Sequence, residues 1–151
     1  MATTEELDAV LVPVGSDLYA VPIGWVREVV SVPRLTRLVT APSAVLGLFN
    51  LRGQIVPLLD TAALLGIGTV GATTFTVVVS CPQGPVGLAA SGFPQRAVLE
   101  TSIGPSELPG TTGLYQLDQR VFALLDPAAL LAPERIGGQA FRSELTTVGV
   151  D

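Results

Sequence analysis

The chain has 151 residues, of which 48% are hydrophobic and 14% charged. That length suits one compact domain, and no apolar run approaches the roughly 18 residues that a membrane helix needs. Arginine supplies all eight basic residues against thirteen acids, and the net charge of −5 disfavours nucleic-acid binding, which requires a cationic surface.

The composition also excludes several classes of catalytic site. Without histidine there is no histidine-activated nucleophile and no ordinary zinc site, and without lysine there is no P-loop or Schiff base. The single cysteine, Cys81, rules out an internal disulfide framework. We therefore expect a protein that is not an enzyme and binds no cofactor or metal. The start of the chain lacks a signal-peptide pattern, so a cytoplasmic location without membrane insertion is expected.

In chain order, the first pattern is a pair of apolar strands, Val10–Val14 and Leu18–Val21, separated by a Gly-Ser-Asp turn. The next stretch, Ile23–Val30, has apolar residues at positions 23, 26, 29 and 30, which predicts a short helix. After residues 47–66, discussed below, Gly66, Gly68 and Gly71 spell GxGxxG. Because they follow a predicted helix and precede a strand, we interpret them as a helix stop and linker rather than a nucleotide site.

The second part of the chain repeats the first. Strands are predicted at Phe75–Val79 and Val86–Ala90, and the segment 113–132 aligns without gaps to 47–66, with ten identities in twenty positions. Each copy is predicted to contain two strands joined by a tight turn, followed by a short helix. Asp60 and Asp126 directly precede Ala-Ala-Leu-Leu, which predicts that both are helix N-caps. The predicted organisation is one domain, 8–132, made of two similar halves, 8–66 and 73–132, with a C-terminal tail, 133–151.

The two halves differ most at the turn of the repeated hairpin. Arg52-Gly53 occupies it in the first half and Asp118-Gln119 in the second. An arginine there can donate a planar fork of hydrogen bonds to a carboxylate, and Glu28 is the candidate partner. The hypothesis is that this pair locks the predicted helix against the hairpin and, if partly buried, stabilises the fold more than an ordinary surface pair. The alternative is a solvated arginine on an exposed turn.

The first half reads Val26-x-Glu28-Val29, then Gly47-x-x-Asn50-Leu51-Arg52-Gly53, then Pro57-x-x-Asp60. In this combination, and over residues 8–132, the chain resembles the CheW family of bacterial chemotaxis adaptors. The resemblance implies a mainly β fold of two SH3-like five-stranded β-barrel subdomains with short helices. It also implies a non-enzymatic scaffold that couples the cytoplasmic tip of chemoreceptors to the regulatory domain of a CheA-type histidine kinase.

The resemblance further implies a set of site residues. Glu28 and Arg52 match the family's acid–arginine pair, and the family's receptor-binding surface maps onto six positions: Val26, Gly47, Asn50, Leu51, Arg52 and Gly53. Gly47 recurs as Gly113, so it could equally serve the architecture. The segment Ala90–Pro94 departs from the family's usual pattern, as does the absence of lysine.

Two other functions stay open on the sequence. A divergent adaptor of the same family could bind a receptor without the kinase. In a different class, paired barrels could hold a small apolar ligand in a deep enclosed pocket.

Overall fold

The computed structural model describes residues 6–31, 34–38, 42–132 and Ile136. Within these residues the fold is built almost entirely from strands, with two short helices and one turn of 3-10 helix at Ile23–Trp25. The strands are β1 (Leu7–Val14), β2 (Asp17–Pro22), β3 (Val26–Ser31), β4 (Val45–Leu51), β5 (Gln54–Leu59), β6 (Phe75–Cys81), β7 (Gly84–Ala90), β8 (Gln95–Leu99), β9 (Thr101–Pro105), β10 (Thr111–Leu117) and β11 (Arg120–Leu125). The helices are α1 (Thr61–Leu65) and α2 (Pro127–Leu130).

The strands form two mixed sheets. The first sheet has the order β8-β1-β2-β11-β10-β9, and the second has the order β3-β6-β7-β5-β4. The first sheet therefore has six strands rather than the expected five, because β9 adds to the edge of β10. Neither β8 nor β9 was predicted from the sequence.

The sheets do not coincide with the two sequence halves. The hairpin β1–β2 of the first half lies between strands of the second half, and the hairpin β6–β7 of the second half lies between strands of the first. In each case the joining contact is parallel: Ala20 pairs with Leu124, and Gly87 pairs with Leu58. Because Leu58 and Leu124 occupy the same repeat position, the two exchanges are equivalent, as a duplicated unit would produce.

The helix predicted over Ile23–Val30 is wrong. A single turn of 3-10 helix ends at Trp25, and the rest of the stretch is the edge strand β3, which pairs antiparallel with β6. Val26, Glu28 and Val30 are the half-buried residues of this strand, so Glu28 belongs to its inward set rather than interrupting a helical face. Pairing with β6 decides the outcome, because β-branched valines pack well on a sheet.

Most of the other predicted elements are present. The strands β1, β2, β6 and β7 extend the predicted runs by a few residues. Asp60 accepts a hydrogen bond from the Ala63 N–H at 3.0 Å, and Asp126 accepts one from the Ala129 N–H at 3.4 Å, so each caps a short helix. Gly66 ends α1 in the left-handed conformation, with φ of 73°.

One hydrophobic core joins the two sheets. It includes Val12 of the first sheet and Phe49 and Leu88 of the second, together with Leu64 of α1 and Leu130 of α2. The predicted C-terminal tail lies outside the described residues except for Ile136, which is buried in this core. Within the part of the chain that the structure describes, no helix has the length and apolar character to cross a membrane.

Candidate functional site

The site begins with the two-residue turn that joins β4 to β5. Arg52 and Gly53 have φ angles of 51° and 87°, the pattern of a tight hairpin turn in which both central residues take positive φ. The Asn50 side chain fixes the turn, because its Oδ1 accepts a hydrogen bond from the Gly53 N–H at 2.7 Å. Asn50, Arg52 and Gly53 are all exposed. The turn therefore presents a set of polar groups to solvent in one defined conformation.

An ion pair connects this turn to β3. The Arg52 guanidinium donates from Nη1 to Glu28 Oε1 at 3.1 Å, and its Nη2 donates to Oε2 of the same carboxylate. This is the two-pronged geometry in which arginine binds a carboxylate most specifically. The Arg52 side chain is 63% exposed and the Glu28 side chain is 26% exposed. The hypothesised pair therefore forms, but it lies at the surface and joins the hairpin to a strand rather than to a helix.

The pair links the two ends of the second sheet. β3 is the first strand in the order of that sheet, and β4 is the last. A second bridge runs parallel to the ion pair, because Arg27 Nη1 donates to Gln54 Oε1 at 3.2 Å. Together these contacts close the sheet on itself at the turn between β4 and β5.

A bulge in β3 allows two successive residues to reach the hairpin. The register of β3 with β6 shifts between Val26 and Glu28, so Arg27 is an extra residue. In a regular strand, neighbouring side chains point to opposite faces, and only one of Arg27 and Glu28 could face the turn. The bulge interrupts this alternation, so both Arg27 and Glu28 reach the hairpin.

The charges of the pair affect the protonation of both partners. The hydrogen bonds from Arg52 are the main reason that the pKa of Glu28 lies below the ordinary value for glutamate. Hydrogen bonding to Glu28 in turn raises the pKa of Arg52. The pair therefore remains charged throughout the neutral range.

Gly47 has a steric role. The segment of residues 34–38 crosses over β4, where Thr36 and Leu48 exchange backbone hydrogen bonds of 2.7 and 2.8 Å. A Cβ atom at Gly47 would come within 3.0 Å of the Thr36 carbonyl oxygen and 3.2 Å of Leu35 Cβ. Gly47 is buried beneath this segment, and its lack of a side chain allows the segment to pack closely against β4.

The structure brings together most of the residues that the sequence singled out. Val26 lies half-buried at the start of β3, and the ion pair joins its strand to the turn. Leu51 lies half-buried at the end of β4. We use the term hairpin surface for Val26, Glu28 and the segment Asn50–Gly53.

The bridge between Arg27 and Gln54 was not predicted from the sequence. Gln54 follows the turn directly and pairs with Leu51, and Arg27 adjoins Glu28, so both positions were next to predicted site residues. The bulge that turns Arg27 toward the hairpin leaves no recognisable signal in one sequence.

The fold and this surface define a two-subdomain β protein with an exposed, ion-paired hairpin. Residues 8–135 match the family model described as CheW-like domain. A chemotaxis protein CheW of Klebsiella aerogenes is 30% identical over 132 residues, covering 81% of this chain and 80% of the relative. The chain belongs to the CheW-like domain family.

Two further comparisons agree with this assignment. A chemotaxis protein CheW of Helicobacter pylori is 39% identical over 54 residues, which cover 36% of this chain and 33% of that protein. The crystal structure of the scaffolding protein TtCheW from Thermoanaerobacter tengcongensis matches with a TM-score of 0.76 at 21% identity, over 89% of this chain and 97% of that one. The predicted fold class, a mainly β protein with two SH3-like subdomains, is confirmed.

Proposed function

We propose that this CheW-like scaffold of chemotaxis couples the cytoplasmic tip of a chemoreceptor to the regulatory domain of a CheA-type histidine kinase. In this proposal the hairpin surface binds the receptor, and the protein contributes no catalysis. The single observation that carries the proposal is the two-pronged ion pair between Arg52 and Glu28 on an exposed turn.

The ion pair supports a binding role because it contributes little to folding. Exposed pairs stabilise proteins only slightly, so stability alone does not explain the alignment of Arg52 on Glu28. The pair does hold the exposed turn against β3 in one position. A surface that is ordered before binding loses less entropy when a partner docks.

The choice of partners follows from the family. The relatives are named chemotaxis proteins, and the protein with the matching fold is called a scaffolding protein. The family's receptor surface corresponds to Val26, Gly47 and Asn50–Gly53 in this chain. The structure favours a direct role for the exposed turn residues and an indirect role for the buried Gly47. Because receptor tips and the kinase meet in the cytoplasm, a cytoplasmic location forms part of the proposal.

Reconstitution from purified components tests the coupling role. A receptor tip fragment and the kinase regulatory domain, both from the organism that encodes this chain, are mixed with and without the protein and separated by size. We expect the two to elute together only when the protein is present. Capture of the receptor fragment alone would establish the divergent, receptor-only adaptor, and capture of neither would refute the proposal.

No described cavity gives specific support to the apolar-ligand alternative. A groove of about 210 Å³ lies beside Trp25, Cys81 and Pro127, and another of about 240 Å³ lies beside Tyr19 and Leu114. Both are smaller than the roughly 300–1,000 Å³ of typical ligand pockets.

A further inference from the structure

We infer that the receptor segment recognised by this protein is acidic, and that four arginines around the hairpin surface supply the complementary charge. These four residues, which we call the arginine face, are Arg27, Arg34, Arg37 and Arg52. The inference rests on the proposed function, and it adds the chemistry of the partner.

The charges of the protein are divided between its two sheets. The second sheet and its connecting segments, residues 26–60 and 75–90, carry the four arginines of this face and two acids, Glu28 and the buried Asp60, for a net charge of +2. The strands of the first sheet and their flanking residues, 6–22 and 95–126, carry seven acids and two arginines, for a net charge of −5. A protein that is acidic overall thus has one cationic side.

The crossing segment brings Arg34 toward the turn and carries Arg37 on the other side of Thr36, toward the Gly47 end of β4. Its contact with β4 is antiparallel, with Thr36 opposite Leu48. Arg34, two residues before Thr36, therefore lies toward Asn50. Asn50 is at the end of β4 that leads into the turn carrying Arg52. Arg34 and Arg37 are both exposed, whereas Leu35 and Leu38 pack against the core. The two leucines of the segment therefore hold it against the core, and its two arginines face solvent.

Asp60 is buried, so Glu28 is the acid of these residues that reaches the surface, and most of the positive charge is uncompensated. Glu28 lies 4.0 Å from Arg27 and accepts both prongs of Arg52, so one carboxylate serves two arginines. Guanidinium groups bind carboxylates through paired hydrogen bonds, and clustered charges raise the rate at which an oppositely charged partner associates. A segment that carries several aspartate or glutamate side chains fits these features.

A polypeptide fits this side better than a nucleic acid or an anionic membrane. Four arginines make a small cationic area, and the seven acids of the first sheet would repel a long polyanion or an extended anionic surface. A short acidic segment can bind the arginine face without approaching the acids of the other sheet.

The test measures binding of the receptor tip fragment at about 50 mM and about 500 mM NaCl, conditions that change the screening length several-fold. The variants are the double substitutions Arg34→Glu/Arg37→Glu and Arg34→Gln/Arg37→Gln. Arg120→Glu is the control, because Arg120 is an exposed arginine on the first sheet. Circular dichroism of each variant verifies the fold, and vesicles containing phosphatidylserine serve as the competing anionic surface.

For the wild-type protein we expect an association rate constant at least about ten-fold higher at low salt than at high salt. The glutamate double variant should lose most of this difference, the glutamine variant about half, and the Arg120→Glu control should keep it. Receptor binding that ignores salt and both double variants would overturn the inference while leaving the proposed coupling role intact. Binding to the vesicles in the absence of receptor would also overturn it, whereas failure to bind the receptor at either salt concentration would overturn both.

Discussion

The Asp60 carboxylate accepts hydrogen bonds from the backbone N–H of Val70, at 3.0 Å to Oδ1 and 3.1 Å to Oδ2. The same carboxylate caps α1 through the Ala63 N–H, and Asp60 is 3% exposed. Asp60 thus ties the glycine-rich linker after α1 back to the start of that helix. Its counterpart in the repeat, Asp126, is half-buried and caps α2 alone.

We therefore predict that Asp60→Ala and Asp126→Ala have unequal effects. Loss of Asp60 leaves two backbone N–H groups, those of Ala63 and Val70, without this acceptor and should lower the free energy of unfolding by about 2–4 kcal/mol, because each bond to a carboxylate is substantial. Loss of the ordinary cap at Asp126 should cost about 1 kcal/mol. Chemical denaturation of both variants measures the difference. Equal losses would show that the contact with Val70 contributes nothing.

Two buried threonines differ in how their hydroxyl groups are hydrogen-bonded. Within the described residues, Thr76 Oγ1 is buried without a hydrogen-bond partner, whereas Thr61 Oγ1 donates to the Ala89 carbonyl oxygen at 2.7 Å. Thr76→Val replaces an unsatisfied hydroxyl by a methyl group of similar size and should raise the free energy of unfolding by about 1 kcal/mol. Thr61→Val is the matched control and should lower it by a similar amount. Destabilisation by both substitutions would show that the Thr76 hydroxyl does have a hydrogen-bond partner in the folded protein.

The two repeat glycines of the hairpins should also respond differently. Gly47→Ala forces Cβ against the backbone of the crossing segment and should cost about 1–3 kcal/mol, as overpacking usually does. At Gly113 a Cβ atom would lie 3.5 Å from the Gly104 carbonyl oxygen, an ordinary contact, so Gly113→Ala should change stability by less than about 0.5 kcal/mol. Thermal unfolding of both variants distinguishes them. If Gly113→Ala proved the more damaging, the steric account of Gly47 would be wrong.

The ion pair predicts a shifted titration. Because Arg52 lowers the pKa of Glu28, the Glu28 carboxylate should titrate below the range of free glutamate, and Arg52→Gln should return it toward that range. A lowered pKa means that the pair contributes its small stabilisation above the ordinary glutamate pKa and loses it as the pH falls through the Glu28 pKa. Carbon-detected NMR of the Glu28 side-chain carboxyl, on the wild type and on Arg52→Gln, follows this directly. A Glu28 titration unaffected by Arg52→Gln would contradict the pairing.

The repeat made much of this fold predictable. Matching segments around Leu58 and Leu124 identified the hairpins and helices, and the two aspartates marked the helix starts. The exchange of hairpins between the sheets could not be predicted. The periodicity of a strand indicates which of its residues face the core, but it does not indicate which other strand pairs with it. The same limitation explains the incorrect helix at Ile23–Val30, where pairing with β6 outweighs a short helical pattern.

The candidate site was partly predictable for similar reasons. The difference between Arg52 and Asp118 at equivalent turn positions singled out the arginine, and both residues share a positive φ. The contribution of Arg27, Gln54 and the crossing segment depends on a bulge and on a chain crossing. Neither feature follows from local sequence, since both arise when distant strands meet.

We propose that the turn carrying Arg52 is the receptor-binding surface. Arg52→Asp tests it cleanly, because Asp118 already occupies the equivalent turn position with φ of 49°, close to the 51° of Arg52, so the hairpin should keep its shape. Arg120→Asp is the control, with the same change of charge on the other sheet.

The most direct measurement is the equilibrium affinity for the receptor tip fragment, determined by titration calorimetry on the wild type and both variants. We predict that Arg52→Asp weakens binding by at least about ten-fold, as loss of a central arginine typically does, and that Arg120→Asp leaves it unchanged. Undiminished binding by a correctly folded Arg52→Asp protein would contradict the account.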